Sequence, residues 1–167
     1  LPRGWGRRGF GMIAIDIPGR GMLQLKHLVL DYNGTVACDG RLIAGVEERL
    51  EALSGRVEIH VLTADTFGSA ARELTGVPCR LSVIPEGNQA DAKREYIRRL
   101  GADSCACMGN GVNDRLMLEE SALGVAILQT EGASPTTMLA ADVVVPGIGE
   151  ALDLLIHPLR LAATLRD

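Results

Sequence analysis

The segment LVLDYNGTVACDG, residues 28–40, runs from an apolar triplet directly into Asp31 and then into a turn containing Gly34. Consecutive apolar residues bounded by turn-formers predict a buried strand that ends at Leu30 and delivers Asp31 at its C-terminal end. Upstream, MIAIDI, PGRG and MLQLKHLVL, beginning at Met12, read as a β-hairpin whose second arm leads into that strand. Before the hairpin, LPRGWGRRGFG (1–11) is rich in Gly and Arg and has no apolar periodicity. It is expected to be a disordered tail in front of a single domain over 12–167, with Met12 as an alternative start.

Downstream of Asp31, helical periodicity over 43–54, 66–75, 88–100, 112–121 and 134–140 alternates with short apolar runs at 57–62, 81–84, 104–108, 124–128 and 142–145. This β-α-β-α rhythm predicts an α/β fold with a doubly wound parallel sheet between two helical layers. Ligands of such sheets bind at the C-terminal ends of the strands. The last stretch, GEALDLLIHPLRLAATLRD, reads as two short amphipathic helices parted at Pro158, which cannot donate a helical hydrogen bond.

Composition fits that reading. Hydrophobic residues make up 47% of the 167-residue chain and aromatics only 3%, so the core is aliphatic, as suits strands buried on both faces. A net charge of -4 gives no electrostatic reason to expect nucleic acid or an anionic membrane as partner, and points to a small-molecule ligand. No apolar run approaches a membrane span, and the N-terminus lacks a secretory signal, so a cytoplasmic location is expected. Cys38, Cys79, Cys105 and Cys107 lack zinc-site spacing and are expected to be reduced core thiols. His27, His60 and His157 lie scattered, at no strand end of interest, and are read as structural.

Three strand ends carry polar residues that a packed core does not explain. Asp31 can attack phosphorus as a carboxylate, while Gly34 lets the backbone turn its amides toward an anion. An Asp and Asn capping their own turn is the plainer alternative. Thr63, in IHVLTADT, follows a second apolar run and leads into a helix, so hydroxyl and helix N-terminus could both bind a phosphate oxygen; a helix cap would look the same. Lys93 falls near the start of its helix, where it could neutralise Asp31 and a phosphate or simply be solvated. The loop MGNGVNDRLML follows the next strand and packs two glycines, two asparagines and an aspartate into a tight turn of hard oxygen donors suited to Mg²⁺. It is not a dinucleotide fingerprint, because Asp114 replaces the third glycine and would repel pyrophosphate.

The order D-x-N-G-T, then Thr63, then Lys93, then G-N-G-x-N-D resembles the four motifs of the haloacid dehalogenase (HAD) superfamily. Within it, the chain resembles the soluble proteins related to the phosphorylation domain of P-type ATPases, over about residues 22–145. The resemblance implies a HAD-like Rossmannoid fold of three α/β/α layers, here with an N-terminal β-hairpin extension. It also implies Asp31 as a nucleophile that becomes an aspartyl phosphate, with Thr63, Lys93, Gly34 and Asn113 holding the phosphoryl group. Mg²⁺ would be held by Asp31, the Asn33 backbone carbonyl, Asn110 and Asp114.

Two positions depart from the family pattern. Asn33 stands where family phosphatases usually carry an acid-base aspartate, and asparagine cannot transfer that proton; such catalysis is typically worth about 10² to 10⁴-fold. Asn110 stands where a metal-binding aspartate is frequent, which leaves a neutral oxygen. The segments between Asp31, Thr63 and Lys93 leave no room for a cap domain, so an open site covered by homo-oligomerisation, as a dimer or tetramer, is expected. The reading is a Mg²⁺-dependent phosphohydrolase or phosphotransferase acting on a small phosphorylated metabolite. The alternative is a catalytically weak protein that binds phosphate or metal in a regulatory or interaction role. A signalling receiver domain also phosphorylates an aspartate, but it needs an acidic pair on the first strand and its acceptor on a later one, the reverse of the order here.

Overall fold

In the computed structural model, which describes residues 11–65 and 68–167, the chain opens with an antiparallel hairpin of β1 (Ile13–Ile17) and β2 (Gly21–Leu25). Residues 1–10 of the expected tail lie outside the described residues. There follow β3 (His27–Asp31), a miniature hairpin of β4 (Ala37–Cys38) and β5 (Arg41–Leu42), α1 (Val46–Leu53), β6 (Glu58–Thr63), α2 (Ser69–Glu73) and β7 (Arg80–Val83). The second half comprises α3 (Gln89–Leu100), β8 (Cys105–Gly109), α4 (Arg115–Glu120), β9 (Leu123–Ile127), α5 (Pro135–Ala140), β10 (Val143–Val145), α6 (Ile148–Ile156) and α7 (Pro158–Leu165).

Six strands form one parallel sheet in the order β10-β9-β8-β3-β6-β7. The chain winds outward from β3 to β7, returns, and winds outward again from β8 to β10. The topological switch therefore falls between β3 and β8, where a doubly wound sheet opens a crevice. Side chains of β3 alternate between the faces, as the two-residue strand period demands. Leu28 and Leu30 join one apolar cluster with α1, α6, α7 and the isoleucines of β1, while Val29 joins a second cluster with α3 and α4. The sheet is thus the middle of three layers, as the sequence pattern predicts. Among the described residues no cap domain is inserted.

Several boundaries differ from the sequence reading. The helix predicted over 112–121 is a 3₁₀ turn at Val112–Asp114 followed by α4, because the Asp114 carboxylate accepts the amides of Asn110 and Gly111 and pins the start of the turn. Helix α1 starts at Val46 rather than 43, after Gly45 takes φ 85°. Helix α2 starts only at Ser69; positions 66 and 67 of the predicted 66–75 helix lie outside the described residues. The β4–β5 hairpin was not foreseen, since two-residue strands carry no periodicity. Cys105 and Cys107 are buried core thiols, whereas Cys38 and Cys79 are only partly buried; all four are unpaired.

Candidate active site

Asp31 is the last residue of β3 and Gly109 the last of β8, so the loop after β8 rises beside Asp31 at the switch point. The loop keeps close to the strand end because Gly109 has no side chain: a Cβ there would lie 2.5 Å from Asp114 Oδ2. Asp114 is completely buried. Its Oδ2 accepts the Asn110 and Gly111 amides, each at 3.0 Å, and its Oδ1 faces Lys93 Nζ at 2.7 Å.

Lys93, the fifth residue of α3, is only 1% exposed, which excludes the solvated helix-surface alternative. Its ammonium also lies 2.7 Å from Asp31 Oδ1, so one cation bridges two buried carboxylates. Burial, reinforced by the Asp114 carboxylate, pushes Asp31 up to about 7 although Lys93 pulls the other way. Burial pulls Lys93 down, but the two carboxylates outweigh it and hold the ammonium above its ordinary value. Two carboxylates against one ammonium leave a surplus negative charge in a dry setting.

The turn after Asp31 is held by its own backbone: the amides of Thr35, Val36 and Ala37 converge on the Tyr32 carbonyl, and the Gly34 amide donates to Ala37. Gly34 has φ 80°, and a Cβ there would lie 2.6 Å from Asn110 Nδ2 and would collide with the Glu131 carboxylate. Both the left-handed backbone and the close approach require glycine. Thr35 Oγ1, fully buried, stands 3.4 Å from Asp31 Oδ2 and from Asn110 Oδ1, bridging the strand end to the loop.

Asp31, Asn33, Thr63, Lys93, Asn110 and Asn113 line one open pocket of about 230 Å³ together with Gln89 and Glu131. Gly34 lies against its rim and Asp114 beneath its floor, so every residue singled out from the sequence comes to one place. Thr63 is buried and its Oγ1 accepts the Asp65 amide; it is not a helix cap, since the residue before α2 is Gly68. The helix N-terminus expected beside Thr63 is likewise displaced, beginning at Ser69. Asn113 Nδ2 donates to Gln89 Oε1 at 2.8 Å, tying the loop to the start of α3.

Three residues at the site went unassigned in the sequence. Thr35 belongs to the same DYNGT turn, Gln89 precedes Lys93 by one helical turn, and Glu131 sits in the loop after β9. The signal for Glu131 was available, because a loop following a parallel strand at this end of the sheet must reach the same crevice.

No protein-family model matches the chain. Among curated proteins it is 39% identical over 85 residues to an uncharacterized protein of Methanocaldococcus jannaschii, covering 48% of this chain and 91% of that one. It is 31% identical over 125 residues to a soluble P-type ATPase-like phosphatase of the same organism, covering 72% of this chain and 45% of that one. The chain therefore spans less than half the length of that phosphatase.

Among solved structures, a 3-deoxy-D-manno-octulosonate 8-phosphate phosphatase from Moraxella catarrhalis, in complex with magnesium ion, phosphate ion and KDO, superposes with TM-score 0.62 at 17% identity, over 83% of this chain and 92% of that one. The cobalt-bound form of the Haemophilus influenzae phosphatase gives TM-score 0.67 at 12% identity, over 86% and 94%. A HAD superfamily hydrolase of subfamily III A from Legionella pneumophila gives 0.67 at 17%, over 84% and 87%. At these identities the likeness is one of fold.

Proposed function

We propose that the chain is a member of the haloacid dehalogenase superfamily without a cap domain, as its fold and its likeness to a soluble P-type ATPase-like phosphatase support, and that it is a Mg²⁺-dependent phosphohydrolase or phosphotransferase acting on a small phosphorylated metabolite. The observation that carries this reading is the Asp31–Lys93–Asp114 cluster, two buried carboxylates on one ammonium at the floor of the switch-point crevice. A structural salt bridge would have no reason to face an open pocket lined by a Thr, a Gln and three Asn residues.

The donor set fits a hard divalent cation: it holds surplus negative charge and oxygen ligands. Asp31, the Asn33 backbone carbonyl, Asn110 and Asp114 would hold Mg²⁺, Asp114 through lone pairs left over from its hydrogen bonds. When bound, the ion would neutralise charge on the phosphoryl oxygens and on Asp31. Asp31 attacks phosphorus in line and displaces the alcohol, giving an aspartyl phosphate that water then hydrolyses to inorganic phosphate. Lys93 and Thr63 bind the phosphoryl oxygens, and the Gly34 turn and Asn113 complete the cradle.

The leaving alcohol needs a proton, and the attacking water must lose one. Asn33 can do neither, so hydrolysis is slow unless another group serves. Glu131 is the carboxylate on the pocket wall that can take this role, lying over Gly34 immediately beyond the nucleophile's turn. A homo-oligomer, dimer or tetramer, covering the uncapped site completes the proposal, with neither nucleic acid nor membrane as partner. No helix among the described residues is long and apolar enough to cross a membrane. A reducing, cytoplasmic setting suits the four free cysteines.

The test is phosphate release from p-nitrophenyl phosphate with and without Mg²⁺, in the native chain and in Asp31→Asn. Turnover that requires both the ion and Asp31 supports the reading. Absence of turnover at saturating Mg²⁺ replaces it with the regulatory alternative, which the neutral Asn33 and Asn110 favour.

A further inference from the structure

The histidines that look scattered in the sequence are not scattered in the fold. His27 is the first residue of β3 and stands in register with Glu58, the first residue of β6; His60 follows two positions later on the same strand. Residues two apart on a strand share a face, so the three side chains converge. His27 Nδ1 lies 3.2 Å from His60 Nε2 and 3.6 Å from Glu58 Oε2, and His60 Nε2 lies 3.9 Å from Glu58 Oε1. One ligand atom from each residue lies within 4.8 Å of the others. At zinc–ligand distances of about 2.0–2.1 Å, a tetrahedral site separates neighbouring ligand atoms by roughly 3.4 Å. The His27–His60 and His27–Glu58 Oε2 separations bracket that spacing, while the contact of Glu58 with His60 is made by its other oxygen, Oε1, at 3.9 Å.

We infer that His27, Glu58 and His60 form a second metal site for a zinc-class divalent ion, at the opposite end of β3 from Asp31. The inference is independent of the phosphate chemistry.

Nitrogen-rich donors distinguish this site from the oxygen-only crevice, which suits harder ions. The two histidine nitrogens face each other at hydrogen-bond distance, so in the absence of an ion one of them must carry a proton between them; an ion takes both lone pairs instead. The other nitrogen of His60 is already fixed, with Nδ1 2.8 Å from the Tyr96 hydroxyl, which in turn accepts from Ser82 at 3.3 Å. This contact orients the ring, and the tautomer in which Nδ1 donates to the Tyr96 oxygen leaves Nε2 free for a metal. Burial lowers both imidazoles, His60 to about 4, so at neutral pH they are in the unprotonated form that ligates.

Side-chain exposures of 16% for His27 and 15% for Glu58 leave an approach for the ion and for water as fourth ligand. Lys26 and Arg80 are the cations that oppose it. Arg80 Nε pairs with Glu58 Oε1 at 2.6 Å and its side chain is 68% exposed, whereas the carboxylate oxygen that meets His27 is Oε2.

The test titrates Co²⁺ into the full chain at saturating Mg²⁺, which keeps the phosphate crevice filled. The expected result is an intense visible absorption of tetrahedral Co²⁺ saturating at one equivalent, displaced by Zn²⁺. It should persist in Asp31→Asn and vanish in His27→Gln and in Glu58→Gln. Both substitutions are partly exposed, and far-ultraviolet circular dichroism verifies their fold. No tetrahedral band in the native chain overturns the proposal. A band that survives both His27→Gln and Glu58→Gln but disappears in Asp31→Asn overturns it equally, since the ion then sits at the phosphate end.

Discussion

Lys93 Nζ stands 2.7 Å from Asp114 Oδ1 with both side chains buried, and neither charge reaches water. Breaking a buried pair by removing one partner typically costs about 3–5 kcal/mol, because the remaining charge is left uncompensated. Lys93→Met leaves two carboxylates facing each other and should lower stability by about that amount. Urea denaturation at pH 5 and pH 8 should show a larger loss at the higher pH, where Asp31, raised to about 7 in the native chain, is driven to ionise without its ammonium. An equal loss at both would mean that packing, not charge, is what Lys93 supplies.

The elevated Asp31 gives a pH dependence of definite sign. Its pKa is about 7 in the folded chain against 3.8 when unperturbed, so the unfolded chain ionises first as pH rises. Stability from this group is present below about pH 4 and is lost by about pH 7. In chelator-treated protein, Asp31→Asn should therefore gain on the native chain across that window and stay level above it. His60, lowered to about 4, acts in the opposite direction over part of the same range, but it is common to both chains and cancels in the difference. A flat difference between the two denaturation series would contradict the buried-carboxylate account.

Acid-base function can be moved. Asn33→Asp should raise phosphate release by about 10²-fold, at the low end of what general acid-base catalysis supplies. Glu131→Gln should lower the native rate while leaving substrate KM within a few-fold, since Glu131 is assigned to proton transfer rather than binding. In Asn33→Asp, the Glu131→Gln change should matter much less. Steady-state kinetics of the four proteins form the cycle; additive effects would show that the two positions do not share one task.

Gly34→Ala should lose both stability and turnover. A non-glycine residue at φ 80° costs about 1–3 kcal/mol, and the added methyl presses on the Asn110 amide. Thermal denaturation and the Mg²⁺ dependence of activity measure the two effects. Unchanged Mg²⁺ dependence would remove Gly34 from the description of the metal-loop geometry.

The parts of this molecule written in local pattern were readable in advance. Apolar runs ending in Asp31, Thr63 and Gly109 gave strands with functional ends, and the sequence order of the polar residues brought them to one crevice. What could not be read depends on register. His27 and His60 meet only because β3 pairs with β6 with His27 opposite Glu58; a shift of one residue would turn His60 to the other face. Lys93 illustrates the middle ground: its position on α3 was evident, but whether it faced solvent or Asp31 depended on how the helix packs. Glu131 escaped because its loop carries no run of donors comparable to GNGVND.

The placement of β3 between β8 and β6 has a consequence for how the molecule breathes. Its amides and carbonyls are paired on both sides, and its flanking strands are themselves paired outward. Strands so enclosed exchange their amide hydrogens only through opening of the whole domain, whereas surface loops exchange through small local fluctuations. The residue assigned as nucleophile therefore hangs from a strand enclosed on both sides, and the loop that carries Glu131 is tied to the nucleophile's turn, because Gln129 Nε2 donates to the Gly34 and Thr35 carbonyls and Asn110 Nδ2 to that of Gly132. The reactive geometry is thus kept by a framework that opens only with the whole domain, and the pocket, already open to solvent, needs no such opening to admit or release a ligand.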